Sequence, residues 1–245
     1  MRHLLGLLLL PLLAVPAAGR ERPAMLVRLP EPAGLGRLLL PPEGRTGPLA
    51  VLLPDALGDD GRAEPYAEAL SARGIASLTL GLAGDADGPG VAGMDPAAAP
   101  AAVPVALAWA EAAGFDPGRI ALVGFGAGGR AVLAAAAGRP GVALYPGCRG
   151  LPRPAAPAWL LVGEDAPDAA ACAGFDAPPG VALRLLPGLG HGWDVPAAGE
   201  VLLLPDPAGD TRLRAQVDLP GAIAVADLVA ATIEGAFGAR QAVAR

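Results

Sequence analysis

Residues 120–130, IALVGFGAGGR, constrain the chain more than any other stretch. Four apolar residues read as a buried strand, the glycines as a tight turn, and 130–137 as an Ala- and Leu-rich helix. Two kinds of site use a strand, a sharp turn and a helix. In the nucleophile elbow, G-x-S-x-G, a serine stands at the tip of the turn. In the dinucleotide fingerprint, G-x-G-x-x-G, the backbone approaches a pyrophosphate. Gly124, Gly126 and Gly128 fit the elbow spacing, with Gly126 at the nucleophile position; Gly124, Gly126 and Gly129 fit the fingerprint.

The surrounding pattern is that of an α/β protein. Strands are expected at 49–53, 75–80, 120–123, 142–145, 159–162 and 181–186, and helices at 64–73, 97–113 and 220–237. An entry hairpin is expected at 25–29 and 37–40, and a late one at 201–204 and 211–214. Alternating strands and helices imply a mostly parallel sheet covered on both faces, a single domain over 20–245. Functional loops in such sheets lie beyond the carboxyl ends of the strands. Asp55, Gly126, Asp165 and His191 fall at such ends. The loop 81–96 carries Asp85, Asp87 and Asp95, but it lacks the calcium-loop spacing and its closing Glu, so it reads as solvated.

Composition enters where it excludes something. With 18 basic and 24 acidic residues the net charge is -6, and no basic run suggests nucleic acid. The 35 glycines and 28 prolines raise the question of disorder, which 53% hydrophobic content answers. Arg2, an apolar run over 4–15 and the small residues after it outline a secretory signal peptide over 1–19, cleaved near Ala17 or Gly19. The alternative is a retained membrane anchor. Export implies a periplasmic or secreted protein with no membrane span after cleavage. The only two cysteines, Cys148 and Cys172, then read as a disulfide across adjacent loops.

The dinucleotide reading needs an acidic residue about 20 positions beyond the glycines. None stands between Phe125 and Val162, although Arg139 or Arg149 could hold a 2′-phosphate. The hydrolase reading needs nucleophile, acid and histidine in that order. Position 126, Asp165 and His191 supply the order, and His191 is the one histidine outside the leader.

In residues 53–58 (LPDALG), 123–129 (VGFGAGG), 143–148 (ALYPGC), 161–165 (LVGED) and 188–194 (GLGHGWD), the chain resembles the dienelactone hydrolase family of the α/β-hydrolase superfamily. The resemblance spans about 51–194. It implies an ester or lactone hydrolase fold without cofactor or metal. It makes His191 the general base and Asp165 its orienting acid, with Asp168 a rival. It makes the N–H groups of Ala56 and Ala127 the oxyanion hole, Asp55 an acidic residue near the nucleophile, and Asp55, Leu57, Phe125 and Trp193 the ligand contacts. The family's Cys or Ser nucleophile falls on Gly126, which removes the atom that forms an acyl-enzyme. Ser71 and Ser77 belong to a helix and a strand away from the site.

Three functions remain open on these grounds. One is a pseudoenzyme that binds a small ester- or lactone-like ligand or a protein partner. Another is a weak hydrolase in which His191 activates water. The third is a nucleotide-binding module. If the elbow reading is right, a Ser or Cys at position 126 should project toward His191 and create or greatly increase esterase activity.

Overall fold

Apolar residues in period two decide the layers of the molecule, a computed structural model that describes residues 24–42, 44, 47–82, 98–151, 153–154, 157–196 and 202–243. The leader 1–19 and Asp85, Asp87 and Asp95 lie outside the described residues. Strands β3 (Leu49–Leu53) and β5 (Ile120–Phe125) are buried along their whole length. Successive side chains of a strand point to opposite faces. Accordingly Ala50, Leu52, Ala121, Val123 and Phe125 enter one core, and Leu49, Val51, Leu53, Ile120 and Leu122 enter another on the far side. A sheet apolar on both faces needs helices on both.

They are supplied by α1 (Glu64–Ala72) and α5 (Leu219–Val243) on the first face, and by α2 (Ala99–Ala112) and α3 (Ala127–Ala135) on the second. Helix α5 is long and apolar enough over Leu219–Arg240 to cross a membrane. Its residues Ala222, Val225, Val229, Ile233 and Phe237 nevertheless recur at helical spacing and are buried in the first core. Asp227 and Glu234 face solvent. This is the packing of a helix on a sheet, each large buried aliphatic contributing roughly 1.5–3 kcal/mol.

The remaining strands of the main sheet are β1 (Met25–Arg28), β2 (Leu35–Leu39), β4 (Ala76–Leu82), β6 (Gly141–Leu144), β7 (Ala158–Gly163) and β8 (Val181–Leu186). Eight strands run in the order β1-β2-β4-β3-β5-β6-β7-β8. The first two are the expected entry hairpin, with Met25 opposite Leu38, and β2 pairs antiparallel with β4. Every later pair is parallel. A separate hairpin joins β9 (Leu203–Pro205) to β10 (Arg212–Arg214).

Two differences from the sequence reading have physical causes. Helix α3 begins at Ala127, not 130, because Gly128 and Gly129 form its first turn. A Cβ on Gly128 would stand 2.3 Å from the Pro54 carbonyl oxygen, so glycine here permits close helix–strand approach. Helix α4 (Ala169–Ala173), a single turn after β7, is not among the expected helices; five residues are too few to show a helical period.

Candidate active site

The carboxyl ends of β3, β5, β6, β7 and β8 bring Asp55, Gly126, Tyr145, Asp168 and His191 to one edge of the sheet. Gly126 is the sharp turn between β5 and α3. Its backbone lies at φ 49° and ψ -113°, left-handed and strained for any side chain. Its N–H donates to the Leu144 carbonyl at 2.9 Å, which fixes the turn on β6. Gly124 is required for the same reason as Gly128: a Cβ there would lie 2.3 Å from the Gly128 carbonyl oxygen.

The N–H groups of Ala56 and Ala127 do converge, but on the protein itself. Asp55 Oδ1 accepts from Ala56 N at 2.7 Å and from Ala127 N at 3.1 Å. Asp55 Oδ2 accepts from Arg62 Nη1 at 3.1 Å. This internal carboxylate fills the expected oxyanion hole. It also fills the nucleophile's place, since a Cβ on Gly126 would stand 2.3 Å from Asp55 Oδ1 and 2.6 Å from its Cγ. Two expectations are thereby corrected. The two N–H groups are not free to receive a substrate oxyanion. A serine at 126 has no room to project toward His191 while Asp55 stays where it is.

Behind Asp55 runs a buried chain of polar groups. Arg62, 2% exposed, also donates from Nη1 to the Tyr145 hydroxyl at 3.1 Å, and its Nε and Nη2 clasp Asp60. The Tyr145 hydroxyl in turn donates to Asp194 Oδ1 at 2.6 Å. Tyr66 donates to Asp194 Oδ2 at 2.7 Å and accepts from Trp193 Nε1 at 3.2 Å. Each hydroxyl accepts once and donates once, so the donors and acceptors along the chain match. Burial raises the pKa of both tyrosines and, against the pull of Arg62 and the two hydroxyls, that of Asp194. Burial alone would lower Arg62, but its neighbours, Asp60 and Asp55 among them, hold it well above its ordinary value.

Around His191 the bonding is of another kind. The ring is fully buried and meets Tyr145 edge to face at 5.1 Å. Among the described residues neither ring nitrogen has a hydrogen-bond partner, and neither has Asp168 Oδ1. Burial lowers the His191 pKa; Asp168 and then Asp55 pull it upward, and Arg62 pushes it down. Among the charged groups acting on the histidine, Asp168 pulls its pKa upward most. Asp165 is exposed, and its N–H is spent on the Leu189 carbonyl at 2.9 Å. Cys148 and Cys172 form a disulfide, as expected.

Of the expected ligand contacts, only Leu57 is half-exposed. Phe125 and Trp193 have no exposed surface; Phe125 packs on Tyr66 and Trp193 on Tyr145 as core aromatics. Asp55 is equally buried, in its ion pair. A carboxylate already sits at the N-terminus of α3, where a pyrophosphate would need to bind. Among the described residues no cluster of three or more metal-ligating side chains occurs. Ser71 and Ser77 lie on α1 and at the start of β4, as expected. Arg62, Tyr66, Tyr145 and Asp194 went unrecognised in the sequence as a unit; the one local signal is Asp194, three positions after His191.

No protein-family model matches the chain, and no curated protein matches it in sequence. Solved structures do. A dienelactone hydrolase-like promiscuous phosphotriesterase from metagenomic libraries superposes with a TM-score of 0.60 at 18% identity, over 87% of this chain and 98% of its own. The esterase domain of a Rhodothermus marinus protein gives 0.58 at 16%, over 85% and 97%. A lidless α/β serine hydrolase from Xanthomonas campestris gives 0.51 at 17%, over 69% and 85%. At such identities the likeness is one of fold: the chain has the α/β-hydrolase fold, as the resemblance implied.

Proposed function

We propose that this chain is an exported pseudoenzyme on the α/β-hydrolase fold, one that has lost acyl-enzyme chemistry and acts by binding. The observation that carries the reading is the Asp55 carboxylate. It accepts both N–H groups of the oxyanion hole and stands where the side chain of a nucleophile would begin. Covalent hydrolysis needs a nucleophile at 126 and a vacant hole, and the chain has neither. The disulfide fits an oxidising compartment. The ligand is a small ester- or lactone-like molecule or a protein partner. With the hole filled, recognition of a carbonyl oxygen falls to other groups, and the half-exposed Leu57 is the available apolar contact at the strand ends.

A second reading rests on His191. Burial keeps its imidazole neutral and, among the described residues, neither nitrogen is bonded, so a water admitted to the buried ring would find a base there. The two readings separate in one assay, p-nitrophenyl acetate hydrolysis by wild type and His191→Ala, alongside thermal shifts with a panel of esters and lactones. Stabilisation by a ligand without turnover supports the pseudoenzyme. Turnover that vanishes in His191→Ala overturns it in favour of the hydrolase.

A further inference from the structure

We infer that the β9–β10 hairpin is a cover over the His191 end of the site, latched at its tip by Arg149 and Asp206, and that water or a ligand reaches the histidine when the tip lifts. This rests on the reading of that sheet edge as the binding site, and it goes beyond that reading by assigning what controls entry.

The base of the hairpin is fixed to the loop of the histidine. Ala215 N–H closes the two strands on the Leu202 carbonyl at 2.9 Å. Gln216 N–H donates to the His191 carbonyl at 2.9 Å, and Asp218 N–H to that of Trp193 at 2.8 Å. Side chains complete the cover. Leu203 and Leu204 point to opposite faces of β9; Leu203 is 48% exposed and Leu204 fully buried. A Cβ on Gly192 would stand 2.5 Å from Leu204 Cδ1, and the Gln216 side chain takes the space that one on Gly190 would need. The residues on either side of His191 are thus roofed by the hairpin and its exit, and His191 itself has no exposed surface.

The tip is held differently. It rests on Gly147, two residues beyond Tyr145, whose ring meets that of His191. A Cβ on Gly147 would stand 2.7 Å from Ala208 Cβ. Asp206 accepts from within the hairpin, from Ala208 N at 2.8 Å and the Thr211 hydroxyl at 3.0 Å, and from outside it, from Arg149 Nη2 at 2.9 Å. Without Arg149 the carboxylate keeps its two internal donors, so the latch opens at little cost to the hairpin's own turn. The Arg149 side chain is 64% exposed, where water and salt compete for it. The loop beneath is pinned. Arg130 Nη1 donates to the Pro146, Gly147 and Arg149 carbonyls and its Nη2 to that of Gly150, while the Cys148–Cys172 bridge ties the loop to α4. A two-stranded hairpin is marginal by itself. The hairpin is therefore the part that moves.

The experiment counts exposures of His191 by its reaction with diethyl pyrocarbonate. The imidazole takes one ethoxycarbonyl group on nitrogen, and ethanol and carbon dioxide leave. Peptide mass analysis of the full chain separates His191 from His3. Rates are taken relative to N-acetylhistidine in the same solution, for wild type, Arg149→Ala and Arg73→Ala. The last breaks an ion pair with Glu234 that joins α1 to α5, outside the hairpin. Each protein is measured at low and at high sodium chloride, with urea unfolding as the record of global stability.

Arg149→Ala is expected to label His191 about threefold to tenfold faster than wild type, with urea unfolding little changed. Arg73→Ala stays at the wild-type rate. High salt speeds wild type toward Arg149→Ala and leaves that variant nearly unchanged. A wild-type rate in Arg149→Ala overturns the proposal. An equal acceleration in Arg73→Ala overturns it too, because exposure then follows a general loosening of the fold. If Arg149→Ala does not fold, the salt series on wild type decides, and a rate indifferent to salt overturns the latch. Labelling needs neither ligand nor turnover, so a protein that no ester or lactone stabilises leaves the inference to stand or fall by its own rates.

Discussion

The two halves of this site differ in how their polar groups are satisfied. On the β3–β5 side, Asp55, Arg62, Tyr145, Asp194 and Tyr66 form a closed chain. On the β7–β8 side, the His191 ring nitrogens and Asp168 Oδ1 are buried and have no hydrogen-bond partner among the described residues. A satisfied buried network rigidifies a fold, while an unsatisfied buried group costs about 1–3 kcal/mol and persists where something else uses it. On the proposed reading the nucleophile half serves as structure, while the base half keeps the unpartnered groups of a reactive site.

The largest effect expected from this contrast is on activity. Gly126→Ser alone should stay inert and lose stability, since it adds backbone strain of about 1–3 kcal/mol and drives a Cβ into Asp55. Asp55→Ala alone opens the hole but supplies no nucleophile. Asp55→Ala/Gly126→Ser should exceed both single variants in p-nitrophenyl acetate hydrolysis by at least about tenfold, and adding His191→Ala should abolish the gain. Activity in the Gly126→Ser single variant equal to that of the double variant would show that Asp55 is no obstacle.

Next in size is the closed half itself. Arg62 is the cation of this buried network, and Asp55, Asp60 and Tyr145 all accept from it. Arg62→Met removes it and leaves Asp55 buried without its counter-ion, at a cost of about 3–5 kcal/mol in urea unfolding. Tyr66→Phe breaks one bond to Asp194 and orphans the Trp193 N–H, which should cost less, about 1–3 kcal/mol. If Arg62→Met proves milder than Tyr66→Phe, the network is not organised around the ion pair.

How much of this was legible in the sequence follows the same division. The sheet was legible because each strand is a short apolar run closed by Gly, Pro or Asp, and strand ends name the loops of a parallel sheet. The disulfide was legible because only two cysteines exist and they follow neighbouring strands. The fate of the elbow was not. Gly126 shows that a side chain is missing, and the resemblance places the acidic Asp55 near it, but only the folded backbone shows that the Asp55 carboxylate accepts both N–H groups there, from Ala127 across 72 positions. Arg62 sits in a run of Asp and Gly that reads as a solvated loop, and its partner Tyr145 is 83 positions on. Asp165, the acid the resemblance names, is exposed on the turn after β7, while its rival Asp168 is half-buried at the start of α4.

The smallest effect concerns pH and belongs to the open half. Burial holds the folded pKa of His191 below its ordinary 6.5. As pH falls through 6.5 the unfolded chain takes up this proton and the native chain resists it, so stability falls, by at most about 1.4 kcal/mol per pH unit for one group. Below the native pKa both states are protonated and this slope disappears. Asp194 works in the opposite sense. Its folded pKa lies above the ordinary 3.8, chiefly through burial, so between those two values the native state binds the extra proton and stability from this group rises as pH falls. His191→Gln removes the first slope and leaves the second. Urea unfolding at about pH 7 and about pH 5.5 should therefore show wild type losing more stability than His191→Gln, by up to about 1 kcal/mol. Equal losses would mean that His191 takes up its proton as readily in the fold as in water. The contrast between a closed half and an unpartnered half would then not hold in solution.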